Sequence, residues 1–297
     1  MINFEGQNAQ EFYARFNSVD SCKEYLANTK WKDGFECVKC KHNACQIRSN
    51  FNRTCNKCSH TESPTANTLF HKVKFGLDKA FIICFEMSTS TKSLSAKYMA
   101  LRVGVHRKAS GLFMHKVREA MKSSETQPME GRVEVDEFVV GGKEENKVGR
   151  SYDSKKKKAI TAIELTSKGE VKRMYIRQID SFSAKELRLI FEAHIDKLAS
   201  VTTDQWRGYR PIAKDFKINQ IPSASGKNFK ILHTMIHQVK TWIRTTYSYV
   251  SAFHINRYFD EFCYRLNRSR SKKTIFHNLI SRMVKSPKIS QAQLVCS

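Results

Sequence analysis

Three carboxylates, Glu134, Asp136 and Glu137, interrupt a stretch of strand-forming residues that runs from Val133 to Val140. Val133, Val135 and the Phe138-Val139-Val140 run favour an extended, half-buried chain, whereas an ionised carboxylate resists burial unless a cation compensates it. On a strand near the middle of a sheet the common compensator is a divalent ion held by oxygen ligands, so Asp136 is the first candidate for a catalytic metal ligand. The plainer alternative is an edge strand whose acids face water and pair with the lysines that follow. A further acid, Asp204, closes the short apolar segment Val201-Thr202-Thr203. It follows a helical stretch, and the carboxyl end of such a strand is where open α/β sheets hold ligands. As a plain structural feature, an Asp at a strand end caps the next helix.

The cysteines carry a second chemistry. Cys37 and Cys40 form one C-x2-C pair, and Cys55 and Cys58 form another after fourteen intervening residues. Each pair on a tight turn aims two thiolates at one point, and together they complete the closed tetrahedral set of structural zinc. Cys45 and His60 lie close by, but four thiolates already saturate such a site. Lys41, Arg48 and Arg53 around the pairs suit a ribbon that touches phosphates, or simply a solvated face.

The 297 residues include 52 Lys and Arg against 28 Asp and Glu, a formal charge of +24 spread along the chain. Such a surplus opposes compaction and points to a polyanionic partner, with nucleic acid favoured over an anionic membrane. No long apolar run and no export signal are recognisable, so an intracellular protein with reduced cysteines is expected.

The elements that must position these groups follow from periodicity. Phe12, Phe16, Val19, Cys22, Tyr25 and Leu26 recur at helical spacing in an N-terminal segment, 1–30, and the cysteine ribbon covers 31–70. Segment 71–125 is helical, and Ser93 to Arg118 has the shape of a helix-turn-helix, with Ser93 or Ser95 as cap and Gly104 in the turn. Arg107, Lys108, His115, Lys116 and Arg118 would decorate its second helix as a DNA-groove reader requires; a helical hairpin with a basic surface is the alternative. Strands are expected at 132–140, 159–165 and 171–176, a helix at 183–198, short strands at 201–204 and 217–221, and a long helix at 229–247. The polar insert 143–158 reads as a mobile loop whose lysines, Lys155 and Lys156 among them, face phosphates or water, and 281–297 reads as a loose basic tail. The result is a multidomain chain of α+β or α/β class.

Several blocks in order then resemble one family. Trp31 to Phe35 with the four cysteines, Ser63 to His71, His115 to Met121, Val133 to Gly142, Thr203 to Tyr209 and Tyr258 to Arg268 are similar to bacterial insertion-sequence transposases of the DDE superfamily. These carry an N-terminal zinc ribbon and an ISXO-like catalytic domain distantly related to Merlin transposons. The resemblance covers about 12–280 and implies a ribonuclease H-like catalytic domain at 126–280. It makes Asp136 and Asp204 the metal-binding aspartates. In the family's third block, an Asn stands for the usual third acid within His-x-x-Ile-Ser-Asn-x-Lys-x-Trp. This chain reads His233-Thr-Met-Ile-His237-Gln238-Val-Lys240-Thr-Trp242, so Gln238 replaces the Asn while His233, Lys240 and Trp242 match. Glu137 and the Asp260-Glu261 pair rank below as additional acids.

The resemblance implies two-metal-ion cleavage at element ends and transfer of the freed 3′-hydroxyl into target DNA. Mg2+ or Mn2+ would sit on Asp136 and Asp204, Gln238 would orient a ligand, Lys240 would neutralise a phosphate, and Zn2+ would hold the ribbon. The implied partners are double-stranded DNA, as terminal repeats and target, and a second copy of the chain in the synaptic complex; the location is cytoplasmic and DNA-associated. The rival readings are a catalytically decayed relative that regulates through DNA binding, and a nuclease that cuts without joining.

Overall fold

The apolar residues of the first thirty positions line two helices in the computed structural model, which describes residues 3–142 and 156–295. The Asn8 side chain accepts the Gln10 N–H to start α1 (Ala9–Arg15), and Ser18 and Ser21 cap α2 (Val19–Lys30) reciprocally. Such acceptors satisfy N–H groups that the first turn leaves unpaired. A three-stranded antiparallel sheet follows, made of β1 (Cys45–Ile47), β2 (Arg53–Cys55) and β3 (Thr61–Glu62). Lys30 ties α2 to the exit of this sheet by an ion pair to Glu62 at 2.7 Å and hydrogen bonds to the Ser63 and Ala66 carbonyls.

Next come α3 (Leu77–Thr89), α4 (Ala96–Val103) and α5 (Arg107–Met121). Ser95 caps α4 through the Tyr98 N–H, and Gly104 ends it in the left-handed conformation, φ 63°, which a side chain would disfavour.

Residues Lys122–Asn267 form a unit of their own around a five-stranded sheet. Its strands are β4 (Arg132–Val140), β5 (Lys157–Leu165), β6 (Val171–Ile179), β7 (Ser200–Thr203) and β8 (Ile218–Gln220), in the order β6-β5-β4-β7-β8. β4, β5 and β6 pair antiparallel, while β4, β7 and β8 pair parallel. The parallel step from β6 to β7 needs a crossover, supplied by α6 (Ala184–His194). Alternation along β4 divides the core. Val133 and Val135 pack with Leu187, Ile190 and Phe191 of α6. Phe138 packs instead with α7 (Lys230–Arg244) and α8 (Ala252–Leu266). Glu134 and Asp136 share the parity of Phe138 and face the α7 side. The buried Glu164 on β5 is held by Lys172 at 3.0 Å and Arg173 at 2.6 Å; Arg173 also donates to the Gln127 and Pro128 carbonyls, which fixes the chain entering β4.

The C-terminal segment corrects two expectations. Arg268–Ser297 belongs with Met1–Met121 in the other unit, so the 126–280 limits run too far. The tail expected to be loose from 281 onward is helical in part: α9 (Ile275–Lys285), which buries Phe276, Leu279, Ile280, Met283 and Val284, runs into it, and α10 (Gln291–Val295) within it buries Leu294. Phe276 sits among Phe4, Phe12, Phe16, Tyr25, Phe81 and Phe85 at centroid distances between 5.4 and 6.5 Å. The basic residues of 281–297 drew attention away from an apolar stripe that continues at helical spacing through Val284.

Candidate active site and metal centre

Register brings the acids together. β4 and β7 run parallel with Val135 opposite Thr203, so Asp136 and Asp204 are the next residues on neighbouring strands. One carboxylate oxygen each from Asp136, Glu137 and Asp204 lies within 4.8 Å of the others. Asp136 is 17% exposed; its Oδ1 accepts the Glu137 N–H at 2.8 Å and its Oδ2 meets His233 Nε2 at 3.0 Å. Asp204 belongs to the cluster and is not a helix cap: its Oδ1 accepts the Trp206 N–H at 2.9 Å within the turn, and Trp206 is the residue that precedes the short helical segment Arg207–Tyr209.

Burial and mutual repulsion dominate the electrostatics of the acids. Burial first, and the charge of Asp204 second, push the Asp136 carboxyl above its usual range against the opposing hydrogen bonds from Glu137 and His233. Burial also raises Glu134, whose Oε2 has no hydrogen-bond partner among the described residues. The buried Tyr209 phenol beneath the cluster is raised well above its usual range by burial and then by Glu137, Asp136 and Asp204. Three acids this close, two of them on a dry sheet, suit a divalent cation bound through oxygen.

A cavity of about 470 Å3 opens over the cluster, lined by Asp136, Glu137, Phe138, Val139, Phe182, His233, Ile236, His237 and Lys240. His233, His237 and Lys240 recur at i, i+4 and i+7, so one face of α7 supplies them. Gln238 is exposed and is not part of that wall. Lys240 is half-buried, and burial lowers its pKa although Asp136 pulls the other way. Asp260 and Glu261 lie on α8, outside the cluster, and buried Glu261 is paired with Arg265 at 3.3 Å.

The four cysteines converge as their spacing predicts. Cys37 and Cys58 sulfurs are 3.6 Å apart, and those of Cys40 and Cys55 are 3.5 Å apart. That is far beyond a disulfide of about 2.05 Å and close to the edge of a tetrahedron built on Zn–S bonds of about 2.3 Å. The two turns repeat each other: Cys37 N–H donates to the His42 carbonyl and Cys55 N–H to the His60 carbonyl, with Lys41 and Ser59 at φ 60° and 56°. Burial opposes the Cys55 thiolate, but the Cys58 and Lys57 N–H groups outweigh it and bring the thiol to about 7.

Residues 128–267 match the sequence profile of the ISXO2-like transposase domain. This segment is an ISXO2-like transposase domain. It lies within the unit built around the five-stranded sheet, ending at the same residue, and it contains all three clustered acids and α7. A transposase domain implies a DNA-modifying enzyme and a DNA partner. No curated protein and no solved structure matches the chain. Among the described residues no helix is long and apolar enough to cross a membrane.

Of the basic residues singled out for DNA, Arg107 and Lys108 are exposed at the start of α5. Lys116 is half-buried and donates to the His71 carbonyl at 3.2 Å. Arg118 is 2% exposed, which removes it from the surface; on a helix that buries Phe113, Met114, Val117 and Met121, it falls within the apolar face. Lys156 precedes β5 and packs its stem against Gly141, just past the end of β4, while Lys155 lies outside the described residues. Sequence reasoning ranked Glu137 low and gave His233 only a place in a motif. The adjacency of Glu137 to Asp136 was the available signal for the first, and the seven-residue step from His233 to Lys240 for the second.

Proposed function

We propose that this chain is a DDE-type transposase that cleaves the ends of an insertion sequence and joins the freed 3′-hydroxyl to target DNA. The observation that carries the reading is the convergence of Asp136 and Glu137, midway along β4, with Asp204, just past the end of the parallel neighbour β7, inside a transposase-family segment. A ribonuclease H-like fold is supported by the sheet, three antiparallel strands continued by two parallel ones with Asp136 on the central strand. Asp136, Asp204 and Glu137 would hold Mg2+ or Mn2+, which when bound supply Lewis-acid activation of the attacking oxygen and stabilise the leaving one. In the first step a water oxygen forms a bond to phosphorus as the bond to the 3′ oxygen breaks, and that oxygen leaves with a proton. In the second step the same 3′ oxygen gives up its proton and forms a bond to a phosphorus of target DNA as the bond from that phosphorus to the target 3′ oxygen breaks, and the target 3′ oxygen leaves with a proton. Lys240, at the cleft wall opposite the acids, meets a non-bridging phosphate oxygen, and its partial burial strengthens that contact. The four cysteines would hold structural Zn2+. α4 and α5 would act as the helix-turn-helix, with the chain cytoplasmic and bound to DNA. Joining two ends calls for two copies related by symmetry.

The test is incubation of the protein with Mg2+ or Mn2+ and a labelled duplex carrying the ends that flank its own gene. Nicked and joined products are expected from the natural chain and none from Asp204→Asn. Binding without cleavage by both proteins would leave the regulator reading, and nicking without joining the nuclease.

The recognition surface has its own expected outcome. Arg107→Ala with Lys108→Ala should weaken duplex binding and lower the slope of log affinity against log salt by about 2, one unit per lost phosphate contact. Arg118→Ala should instead lower stability with that slope unchanged. Fluorescence anisotropy across a salt series reads the first and urea denaturation the second.

A further inference from the structure

The turn leading into α7 is the one stretch among the described residues with three successive positive φ values: 47° at Ala224, 54° at Ser225 and 85° at Gly226. Two of these residues carry side chains, and left-handed backbone costs about 1 kcal/mol or more at each, so the conformation persists only where its surroundings impose it. The turn is tied down at both ends. Gly226 N–H donates to the Ser223 carbonyl at 2.9 Å, and the Asn228 side chain donates to the Pro222 carbonyl at 2.7 Å.

What this turn holds is an imidazole. A Cβ on Gly226 would stand 2.5 Å from His233 Nδ1 and 2.8 Å from its Cε1, so bare backbone is seated against the edge of that ring. The buried Phe229 ring lies near-parallel to the imidazole at 25° and 6.4 Å. The other ring nitrogen, Nε2, is 3.0 Å from Asp136 Oδ2, and because a carboxylate oxygen accepts, Nε2 donates. With the Glu137 N–H on Oδ1, both oxygens of Asp136 are oriented, and their remaining lone pairs stay available to a ligand shared with Asp204 and Glu137. His233 itself is not one of the three residues whose ligand atoms converge; it lines the cavity beside them and touches the cluster through Asp136.

We propose that His233, clamped by the Ala224–Phe229 turn, is the positioning residue through which α7 serves the acidic cluster, and that exposed Gln238 takes no part. This rests on the acidic cluster being the metal site of a transposase. A hydrogen-bond partner of a ligating carboxylate fixes ligand geometry, and its loss typically weakens metal binding by about 10- to 100-fold.

The test is Mn2+ binding by the full chain, read by electron paramagnetic resonance without any DNA. His233→Ala should lose affinity by about 10- to 100-fold and Gln238→Ala by less than about twofold. His233→Gln, which keeps a donor, should recover part of the loss, a rescue that a purely structural role would not give. Gly226→Ala should behave as His233→Ala does, because its Cβ displaces the ring. Urea midpoints of each variant separate loss of fold from loss of metal. Asp136→Asn runs alongside: if it loses Mn2+ while His233→Ala keeps it, this inference alone falls. If Asp136→Asn also keeps Mn2+, the metal-site reading falls and takes the inference with it. A directly bound nitrogen in the pulsed spectrum of the Mn2+ complex would make His233 a ligand and overturn the positioning role.

Discussion

Cys55→Ser is expected to release zinc and unfold the ribbon, the largest single effect we foresee. The ribbon's apolar core is small: Ala27, Trp31, Phe35, Cys37 and Cys55, with Cys40, Cys45 and Phe51 partly covering it. Trp31 is flanked by cations, Arg53 at 4.6 Å and Lys30 at 5.0 Å, contacts of about 1 kcal/mol each that cannot replace a core. Three strands of two or three residues do not fold unaided, and a zinc ion on the four thiolates would supply stabilisation of the order of 10–16 kcal/mol, as at comparable sites near neutral pH. One zinc per natural chain should be found by atomic absorption and almost none in the variant. Limited proteolysis should then cut the variant between Trp31 and Ala66 while Lys122–Asn267 stays resistant. A variant resistant throughout would remove zinc as the organiser of this segment.

Asp136→Asn should make the metal-free protein more stable while abolishing cleavage. Like charges 4–5 Å apart repel by about 3–4 kcal/mol at an effective dielectric near 20, and the hydrogen bonds to Asp136 offset part of this. A net gain of roughly 1–2 kcal/mol in the variant would raise the domain's melting temperature by about 3–6 °C. The pH dependence has a definite sign. Burial and Asp204 raise the folded-state pKa of Asp136, so the folded chain holds the proton more tightly than the unfolded one. Natural stability is then undiminished below the unfolded-state pKa and falls as pH rises through the raised folded value. The advantage of the variant should appear over that window and level off above it. Mg2+ should stabilise the natural chain at neutral pH and leave Asp136→Asn nearly unmoved, as calorimetry with and without the ion would read. Equal stabilisation of both proteins would separate Asp136 from the metal.

Local pattern carried far in this sequence, and it failed where partners are distant. β4 runs from Arg132 to Val140 as the alternation of valines implied, since three acids on an otherwise apolar strand do not change its period. The cysteine turns were legible because ligand spacing is a local property. Gln238 occupies a motif position, yet which face of α7 meets the sheet is decided by Leu232, Met235, Ile236 and Val239 packing on Phe138 and Ile163, contacts between distant segments. That packing turns His233 and Lys240 inward and leaves Gln238 in water. Arg118 misled for a related reason: charge suggests surface, but a long side chain on a helix buried along most of its length follows the helix inward. The clamp at Gly226 had no legible signal, because a single glycine in a polar run reads as an ordinary turn.

Both ends of the chain build one unit, with α9 and its Phe276 completing an aromatic core begun by Phe4 and Phe12. During synthesis, therefore, the segment that carries the ribbon and α4–α5 emerges first and must wait with its aromatic residues uncovered until all of Lys122–Asn267 has been made. The transposase domain can close on the ribosome before that core does. A nascent or truncated chain ending before Ile275 would thus contain every clustered acid yet leave the aromatic core of the other unit unfinished, so premature termination would yield one folded unit beside an open one.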